Sequence, residues 1–253
     1  MFQSKRYQQI FAQHQLDGFT PLWDKHIDWF EEPNHRRGGW SGVGQLTLAT
    51  DDGVLNTFVK KQQNHGRRTL LHPFKGEPTF RRELKRLTFL EKNHVKAPKV
   101  VCYGEQTIEG ESCAILATET LLDFEPLDVV TQDWFTNTAK TRQQKRTLLK
   151  SVANALRDFH DTGLSHRALY SKHIFVKNAN TQPEVALIDL EKARFSFLSF
   201  YRTYFDLSAL NRHAEYWSRS DRMYFFLQYF QTKRLRMPLR LLCRLILKRS
   251  ARR

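Results

Sequence analysis

The spacing of apolar residues divides this chain of 253 residues into a β-rich first part and a helical second part. Alternating apolar residues predict strands around residues 46–48, 54–62, 100–103 and 113–118. Two amphipathic helices are predicted over residues 79–95 and 147–163, with Pro98 and Gly163 as stop signals. We therefore predict an α+β fold with a small β-rich first lobe and a larger, mostly helical second lobe.

The stretch from Leu164 to Arg194 carries the most chemistry. It reads as a turn with His166 and Arg167, a short strand, a polar turn, and a second strand that ends on Asp189. A carboxylate at the end of such a hairpin is suited to holding a divalent metal on a nucleotide phosphate. This stretch is therefore the candidate active centre.

Glycines cluster ahead of the first predicted strand, at Gly38, Gly39, Gly42 and Gly44. Glycine density before a strand fits a hairpin whose backbone amides approach phosphates, because side chains would block that approach. An ordinary glycine turn is the alternative.

Two lysines end a strand-like run and offer a second phosphate contact. Side chains alternate between the two faces of a strand, so only one of Lys60 and Lys61 can point toward a nucleotide. The helix over residues 79–95 places Glu83 at the edge of its apolar face, with Glu91 as the rival carboxylate. The alternative is that these lysines and glutamates are ordinary solvated residues on the surface.

The composition points to a folded protein with a polyanionic partner. Apolar residues make up 40% of the chain, which excludes disorder, and 41 Lys and Arg outweigh 26 Asp and Glu to give a net charge of +15. Nucleic acid, anionic lipid headgroups and a phosphorylated glycolipid all fit this charge, but no nucleic-acid motif accompanies it, so nucleic acid is disfavoured. The absence of a signal peptide and of a long apolar run predicts a cytoplasmic protein.

Both ends of the chain and one aromatic segment lie outside these motifs. Residues 1–35 predict one or two short helices packed on the main body. Five aromatic residues between Phe195 and Tyr204 are interpreted as core, with a membrane or lipid contact as the alternative. Residues 232–253 carry nine Lys and Arg and no acid. They predict a basic amphipathic helix that lies either on anionic lipid or against the second lobe.

In order and type, these residues resemble the protein-kinase-like phosphotransferases. More narrowly, they resemble the lipopolysaccharide kinase family, the Kdo and heptose kinases, and above all its InaA-like branch. His166 and Arg167 match the first two positions of the kinase loop His-Arg-Asp. His173 stands where kinases carry an asparagine, and Asp189 matches the metal-binding aspartate.

The resemblance implies a two-lobed kinase fold and ATP with Mg²⁺ as cofactors. Its lobes would be residues 36–121 and 122–231, flanked by an extension (1–35) and the basic segment (232–253). Lys60 would hold the phosphates, Glu83 would orient Lys60, and His173 with Asp189 would bind the metal. Further site residues would be the catalytic-loop pair His166 and Arg167, and the nucleotide contacts Gly39, Gly42, Gly44, Glu119 and Leu121.

The acceptor implied is a sugar hydroxyl of the lipopolysaccharide core, Kdo or heptose, at the inner face of the bacterial inner membrane. Ala168 departs from the pattern, because kinases place there the aspartate that accepts the hydroxyl proton. Glu191 or Asp206 could replace that carboxylate if either reached the acceptor. Asp206 is also expected to brace the loop by hydrogen bonds. The alternative is an InaA-like pseudokinase that acts, without phosphoryl transfer, as a nucleotide-binding or membrane-docked regulatory module.

Overall fold

A computed structural model describes residues 1–30, 32–36, 38–67, 77–136 and 140–251. Its contacts divide the chain into two compact units. The first comprises Met1–Phe89 and Pro98–Leu121, and the second comprises Leu90–Ala97 and the chain from Leu122 onward. None of the helices described is long and apolar enough to span a lipid bilayer.

Unit 1 is built on a seven-stranded antiparallel sheet. The strand order is β1-β8-β9-β5-β4-β2, and β3 also pairs with β4. The strands of unit 1, including the separate pair β6 and β7, are β1 (Phe2–Gln3), β2 (Asp28–Trp29), β3 (Asn34–Arg36), β4 (Gly39–Thr50), β5 (Gly53–Gln63), β6 (Gly66–Arg67), β7 (Glu77–Pro78), β8 (Val100–Ile108) and β9 (Glu111–Glu119). The four predicted strands fall within β4, β5, β8 and β9.

Three helices accompany this sheet: α1 (Lys5–Gln13), α2 (Phe19–Asp24) and α3 (Thr79–Lys92). The first two confirm the short helices predicted for residues 1–35. Tyr7 and Phe11 of α1 and Leu22 of α2 lie in the same buried cluster as Val59 of β5 and Val101 of β8. The beginning of the chain therefore supplies part of the core of unit 1. It also adds an edge strand to the sheet, because β1 pairs with β8.

Unit 2 is mostly helical. Its elements are β10 (Glu125–Pro126), α4 (Leu127–Thr136), α5 (Arg142–Asp161), β11 (Leu164–Ser165), β12 (Ile174–Lys177), β13 (Glu184–Leu187), β14 (Arg194–Phe195), α6 (Ser199–His213), α7 (Arg219–Tyr229) and α8 (Leu239–Ser250). Short 3₁₀ turns at Ser171–His173 and Leu190–Lys192 follow β11 and β13. Helix α5 begins with a capping box, in which Thr141 and Gln144 satisfy each other's backbone amides. The predicted α+β class is confirmed.

Helix α8 is the basic amphipathic helix predicted near the end of the chain. Leu242 and Ile246 are buried on it, and α8 packs against α6. The hydroxyl of Ser250 also donates to the backbone carbonyl of Ser208 in α6, at 3.1 Å. The apolar face of α8 is therefore used for packing within unit 2. The last arginines of the chain, Arg252 and Arg253, lie outside the described residues.

The interpretation of the aromatic segment as core was wrong. The exposed fraction is 101% for Phe197, 47% for Phe200 and 49% for Tyr201. The reason is the position of helix α6: its buried face begins only at Thr203, so the first turn and the residues before it project into solvent.

The predicted glycine hairpin takes a different form in the structure. Gly39, Gly42 and Gly44 lie inside strand β4 itself, with the turn before them at Gly38. A Cβ on Gly42 would lie 2.8 Å from the ring of Trp29, and one on Gly44 would lie 2.3 Å from Cγ2 of Ile27. The close packing of the residues around β2 against β4 therefore requires glycine, whether or not a phosphate also binds there.

This packing predicts that Gly44→Ala destabilises the protein. Overpacking against Ile27 and the Asp28 carbonyl should cost about 1–3 kcal/mol, more than the roughly 0.4–1 kcal/mol gained by restricting the unfolded chain. Urea denaturation measures the difference. The exposed neighbour Gln45, changed to Ala, is the control. Equal midpoints for Gly44→Ala and the native protein would contradict this account.

Candidate active site

The half-buried Lys60 and the buried Glu83 form an ion pair in unit 1. Lys60 Nζ lies 2.6 Å from Glu83 Oε1, and the exposed side-chain fractions are 21% and 4%. The second carboxylate oxygen of Glu83 is buried and has no hydrogen-bond partner among the described residues. The rival Glu91 is exposed. Strand β5 and helix α3 thus hold one cation in a fixed position.

The neighbouring Lys61 points to the opposite face of β5 and has a different role. Its Nζ donates to the backbone carbonyls of Trp23 and Lys25, each at 2.7 Å. Burial lowers the pKa of Lys61 to about 8, although the charge of Asp24 acts to raise it. Lys61 therefore anchors the end of α2, and Lys60 is the lysine that pairs with Glu83.

In unit 2, the buried carboxylate of Asp206 holds the loop that follows β11. Oδ2 accepts from the amide of His166 at 2.6 Å and from Ser165 Oγ at 3.0 Å, and Oδ1 accepts from the amide of Arg167 at 2.9 Å. His160 Nε2 lies 3.0 Å from Oδ2. Asp206 is 1% exposed. The expectation that Asp206 braces this loop by hydrogen bonds is confirmed.

Because of these contacts, Asp206 cannot take the place of the aspartate that kinases carry at the position of Ala168. Burial acts to raise the pKa of Asp206, but the hydrogen bond and charge of His160 and the amide of Arg167 outweigh it, so the pKa lies below its usual value. Both carboxylate oxygens of Asp206 are engaged in hydrogen bonds, so the suggestion that Asp206 reaches an acceptor hydroxyl was wrong.

The role of Glu191 as a replacement carboxylate stays a hypothesis. Glu191 is partly exposed, in the turn directly after Asp189.

His166 is a structural residue of the loop. Its ring is fully buried, with Nε2 2.9 Å from the carbonyl of Ile188, the residue before Asp189. Burial lowers the pKa of His166, although the nearby carboxylates of Asp206 and Asp189 act to raise it. A neutral ring that donates from Nε2 joins the loop to the end of the hairpin strand.

His173 and Asp189 lie together at the end of that hairpin. His173 Nδ1 lies 2.8 Å from the carbonyl of Ala168 and 3.5 Å from Asp189 Oδ2. The amide of Ile188 donates to the carbonyl of His173 at 3.1 Å. Asp189 has left-handed backbone angles (φ 58°, ψ 56°), an uncommon conformation outside glycine, and the chain turns there into the short 3₁₀ turn at Leu190–Lys192.

These two side chains fit a magnesium ion only together with other ligands. Donation from Nδ1 to Ala168 leaves Nε2 of His173 with a lone pair, and the Asp189 carboxylate is 34% exposed. Among the described residues, no group of three or more His, Cys, Asp or Glu could hold a metal. Magnesium in phosphotransferases commonly takes one or two carboxylates and completes its shell with water and phosphate oxygens.

A profile of the lipopolysaccharide kinase (Kdo/WaaP) family matches residues 20–229, most of the chain. The chain belongs to this family.

Relatives differ in how much of the chain they match. Protein InaA of Escherichia coli strain K12 is 35% identical over 182 residues, which covers 70% of this chain and 79% of that protein. The lipopolysaccharide core heptose(I) kinase WaaP of Escherichia coli is 30% identical over 99 residues, which is 37% of each chain. A solved structure of WaaP in complex with acyl carrier protein has 23% identity, covers 88% of each chain and superposes with a TM-score of 0.63. This likeness confirms the predicted two-lobed, protein-kinase-like fold.

The remaining predicted contacts lie in unit 1. Glu119 ends β9, where its amide donates to the carbonyl of Lys99 at 2.8 Å and its carboxylate accepts from the hydroxyl of Tyr7. Leu121 follows it, half-buried. The amide of Glu119 is thus already used. The nucleotide contacts proposed for Glu119, Leu121 and the three glycines stay predictions.

Sequence reasoning missed two members of the Asp206 network. Ser165 and His160 both contact that carboxylate, but neither belongs to a recognisable motif. His160 could have been found from its position, because it lies beside the buried Leu156 and Phe159 on the apolar face of α5. A buried polar group on such a face requires a partner.

The Asp206 network predicts a specific acid sensitivity. Because the folded pKa of Asp206 is lowered, its contribution to stability should be complete above about pH 5 and be lost as the pH falls through that lowered value. Asp206→Asn lacks this titration, so its stability should depend less on pH in the acid range. At pH 7 it should be less stable than the native protein by about 1–3 kcal/mol. Denaturant titrations from pH 3 to 7 measure both effects, with the exposed Asp158→Asn as control. Identical acid profiles for the native protein and Asp206→Asn would exclude this role.

Proposed function

We propose that this protein is an ATP-dependent phosphotransferase that phosphorylates a sugar hydroxyl of the lipopolysaccharide core, Kdo or heptose. The observation that supports it most is the 2.6 Å ion pair between Lys60 and Glu83. A half-buried lysine held by a buried helix glutamate is the arrangement by which kinases fix a cation against the α- and β-phosphates. In this proposal the protein works at the inner face of the bacterial inner membrane.

The proposed roles follow from the chemistry of each side chain. Lys60 would neutralise phosphate charge, and Glu83 would keep its ammonium in place. The Asp189 carboxylate and the free nitrogen of His173 would hold Mg²⁺, which when bound neutralises charge on the phosphate oxygens. His166 and Asp206 would fix the backbone of the loop, and Arg167 would supply a positive charge beside it.

The missing loop carboxylate does not by itself exclude transfer. Phosphoryl transfer depends mainly on positioning and charge neutralisation. A general base contributes about 10²- to 10⁴-fold to rate. Ala168 is 1% exposed and cannot accept a proton. In this proposal Glu191, in the turn after Asp189, receives the proton of the acceptor hydroxyl.

A pseudokinase is the second candidate, and two observations favour it. Ala168 replaces the aspartate of the loop, and Asp206 is fully engaged in hydrogen bonds. Such a protein would bind nucleotide through Lys60 and act as a regulatory module without phosphoryl transfer.

Transfer of the ATP γ-phosphate to purified lipopolysaccharide core acceptors tests the proposal. Lys60→Met and Asp189→Asn should each lower incorporation at least about 10²-fold, because each removes a charge that stabilises the transferring phosphoryl group. Lys99→Met changes an exposed lysine of the same unit and should leave incorporation unchanged.

The outcome separates the two candidates. Incorporation that persists in both site variants would contradict the assigned roles. No incorporation by the native protein, with ATP bound in a Lys60-dependent way, would establish the pseudokinase instead.

Glu191→Gln tests the proposed base. If Glu191 accepts the hydroxyl proton, kcat should fall by about 10²- to 10⁴-fold and the acid limb of the pH–rate profile should disappear, while the KM for ATP stays constant. Steady-state kinetics across pH measure this. Glu215→Gln, an exposed glutamate of the same unit, is the control. A change in kcat of less than twofold would rule Glu191 out.

A further inference from the structure

A run of exposed apolar side chains precedes and begins helix α6. The members of this aromatic ridge are Phe195, Phe197, Leu198, Phe200 and Tyr201, exposed by 46%, 101%, 61%, 47% and 49%. Single exposed apolar residues are ordinary on protein surfaces, but a contiguous group is typical of an interaction site. The ridge is therefore a candidate interaction surface.

A basic pocket adjoins the ridge. It has a volume of about 300 Å³, and its lining includes Arg167, Arg194, Ser165 and Ser196. Phe195 and Tyr201 line it as well, so the pocket and the ridge share two residues. The surface is thus amphiphilic, with guanidinium and hydroxyl groups in the pocket and aromatic rings beside it.

Three arginines around this pocket carry charge that the described residues do not pair. The guanidinium carbons of Arg167 and Arg249 lie 5.0 and 4.4 Å from the ring centre of Phe205. Neither of these two, nor Arg194, forms an ion pair within the described part of the chain. Burial and the charges of the other two arginines lower the pKa of Arg167, although Asp206 acts to raise it. An anion in the pocket would relieve this repulsion.

We propose that the aromatic ridge and the arginine pocket together dock the protein on an anionic lipid bilayer. Headgroup phosphates would enter the arginine pocket, and the rings of the ridge would insert at the boundary between headgroups and acyl chains. The net charge of +15 favours this partner. A symmetric pairing of two copies through the same face would bring the arginine clusters together and is opposed by their charge.

This assignment differs from docking through the basic helix α8. Leu242 and Ile246 of α8 are buried within unit 2 and are not available to a membrane, whereas its exposed Leu241 and Leu247 lie outside the ridge and the pocket. Arg167 belongs both to this pocket and to the proposed phosphotransferase site, but the substitutions that test docking leave Lys60, Asp189 and Arg167 unchanged. Lipid binding and phosphoryl transfer can therefore be measured separately.

Co-sedimentation of the full chain with vesicles tests the proposal. The probes are vesicles of phosphatidylcholine alone and vesicles that also contain phosphatidylglycerol. Phe197→Ser with Phe200→Ser should weaken binding to the anionic vesicles by about tenfold or more, because two exposed rings no longer insert. Arg194→Gln should weaken it by about fivefold at low salt, since one basic residue near the surface is lost.

Two matched controls separate this surface from general charge and hydrophobicity. Phe30→Ser changes an aromatic residue of unit 1 that is 67% exposed, and Arg244→Gln changes an exposed arginine of α8. Both should bind anionic vesicles within about twofold of the native protein, since neither residue lies on the ridge or in the pocket. Unchanged thermal unfolding of all four variants confirms that they are folded.

Several results would overturn the proposal. One is equal binding by the ridge variant and the native protein, and another is a loss with Arg244→Gln as large as that with Arg194→Gln. A native oligomer that the ridge variant converts to monomer would identify the ridge as a contact between copies. Release from vesicles by inorganic phosphate, at an ionic strength where chloride releases nothing, would identify a free-anion site.

Discussion

The buried carboxylate of Asp206 is the constraint on which the loop after β11, the candidate catalytic loop, depends. It accepts hydrogen bonds from two consecutive loop amides, a serine hydroxyl and a histidine of helix α5. A charge with 1% exposure is tolerated only with such partners. Because these donors come from α5 and the loop and the acceptor comes from α6, one side chain fixes the position of the loop relative to both helices.

That fixed loop in turn positions the candidate metal ligands. His166 contacts the carbonyl of Ile188, and His173 contacts the carbonyl of Ala168. The loop and the hairpin strand that ends on Asp189 are thus tied together by imidazole and backbone hydrogen bonds. Ala168 can occupy its position without disturbing this arrangement, because the loop is held by its backbone. An alanine in place of the loop aspartate therefore leaves the architecture of the loop intact.

The elements and site residues that could be predicted are those whose signal is local. Helix α5 follows from the spacing of Leu148, Val152 and Leu156, and the strands of unit 1 follow from alternation. Alternation also limits Lys60 and Lys61 to opposite faces of β5, but only the structure shows that Lys61 donates to the carbonyls of Trp23 and Lys25. The choice between them depends on residues far away in the sequence.

The features that could not be predicted depend on tertiary packing. The sequence pattern placed Gly42 and Gly44 in a hairpin turn. In the structure they lie within strand β4, where Trp29 and Ile27 pack so closely that a Cβ would not fit. The aromatic segment read as core because aromatic residues are usually buried, but the buried face of α6 starts two residues after Tyr201. The apolar face of α8 fits lipid or protein equally well by pattern, and its contact with α6 decides between them.

Equilibrium binding of ATP in the presence of Mg²⁺, measured by calorimetry, tests the central claim most directly, because both the kinase and the pseudokinase require a kinase-like nucleotide site. We expect the native protein to bind ATP, and we expect Glu83→Gln and Asp189→Asn each to raise the Kd by about tenfold or more, since each removes a charge-assisted contact. No binding by the native protein, or a Kd that neither substitution changes, would contradict the account.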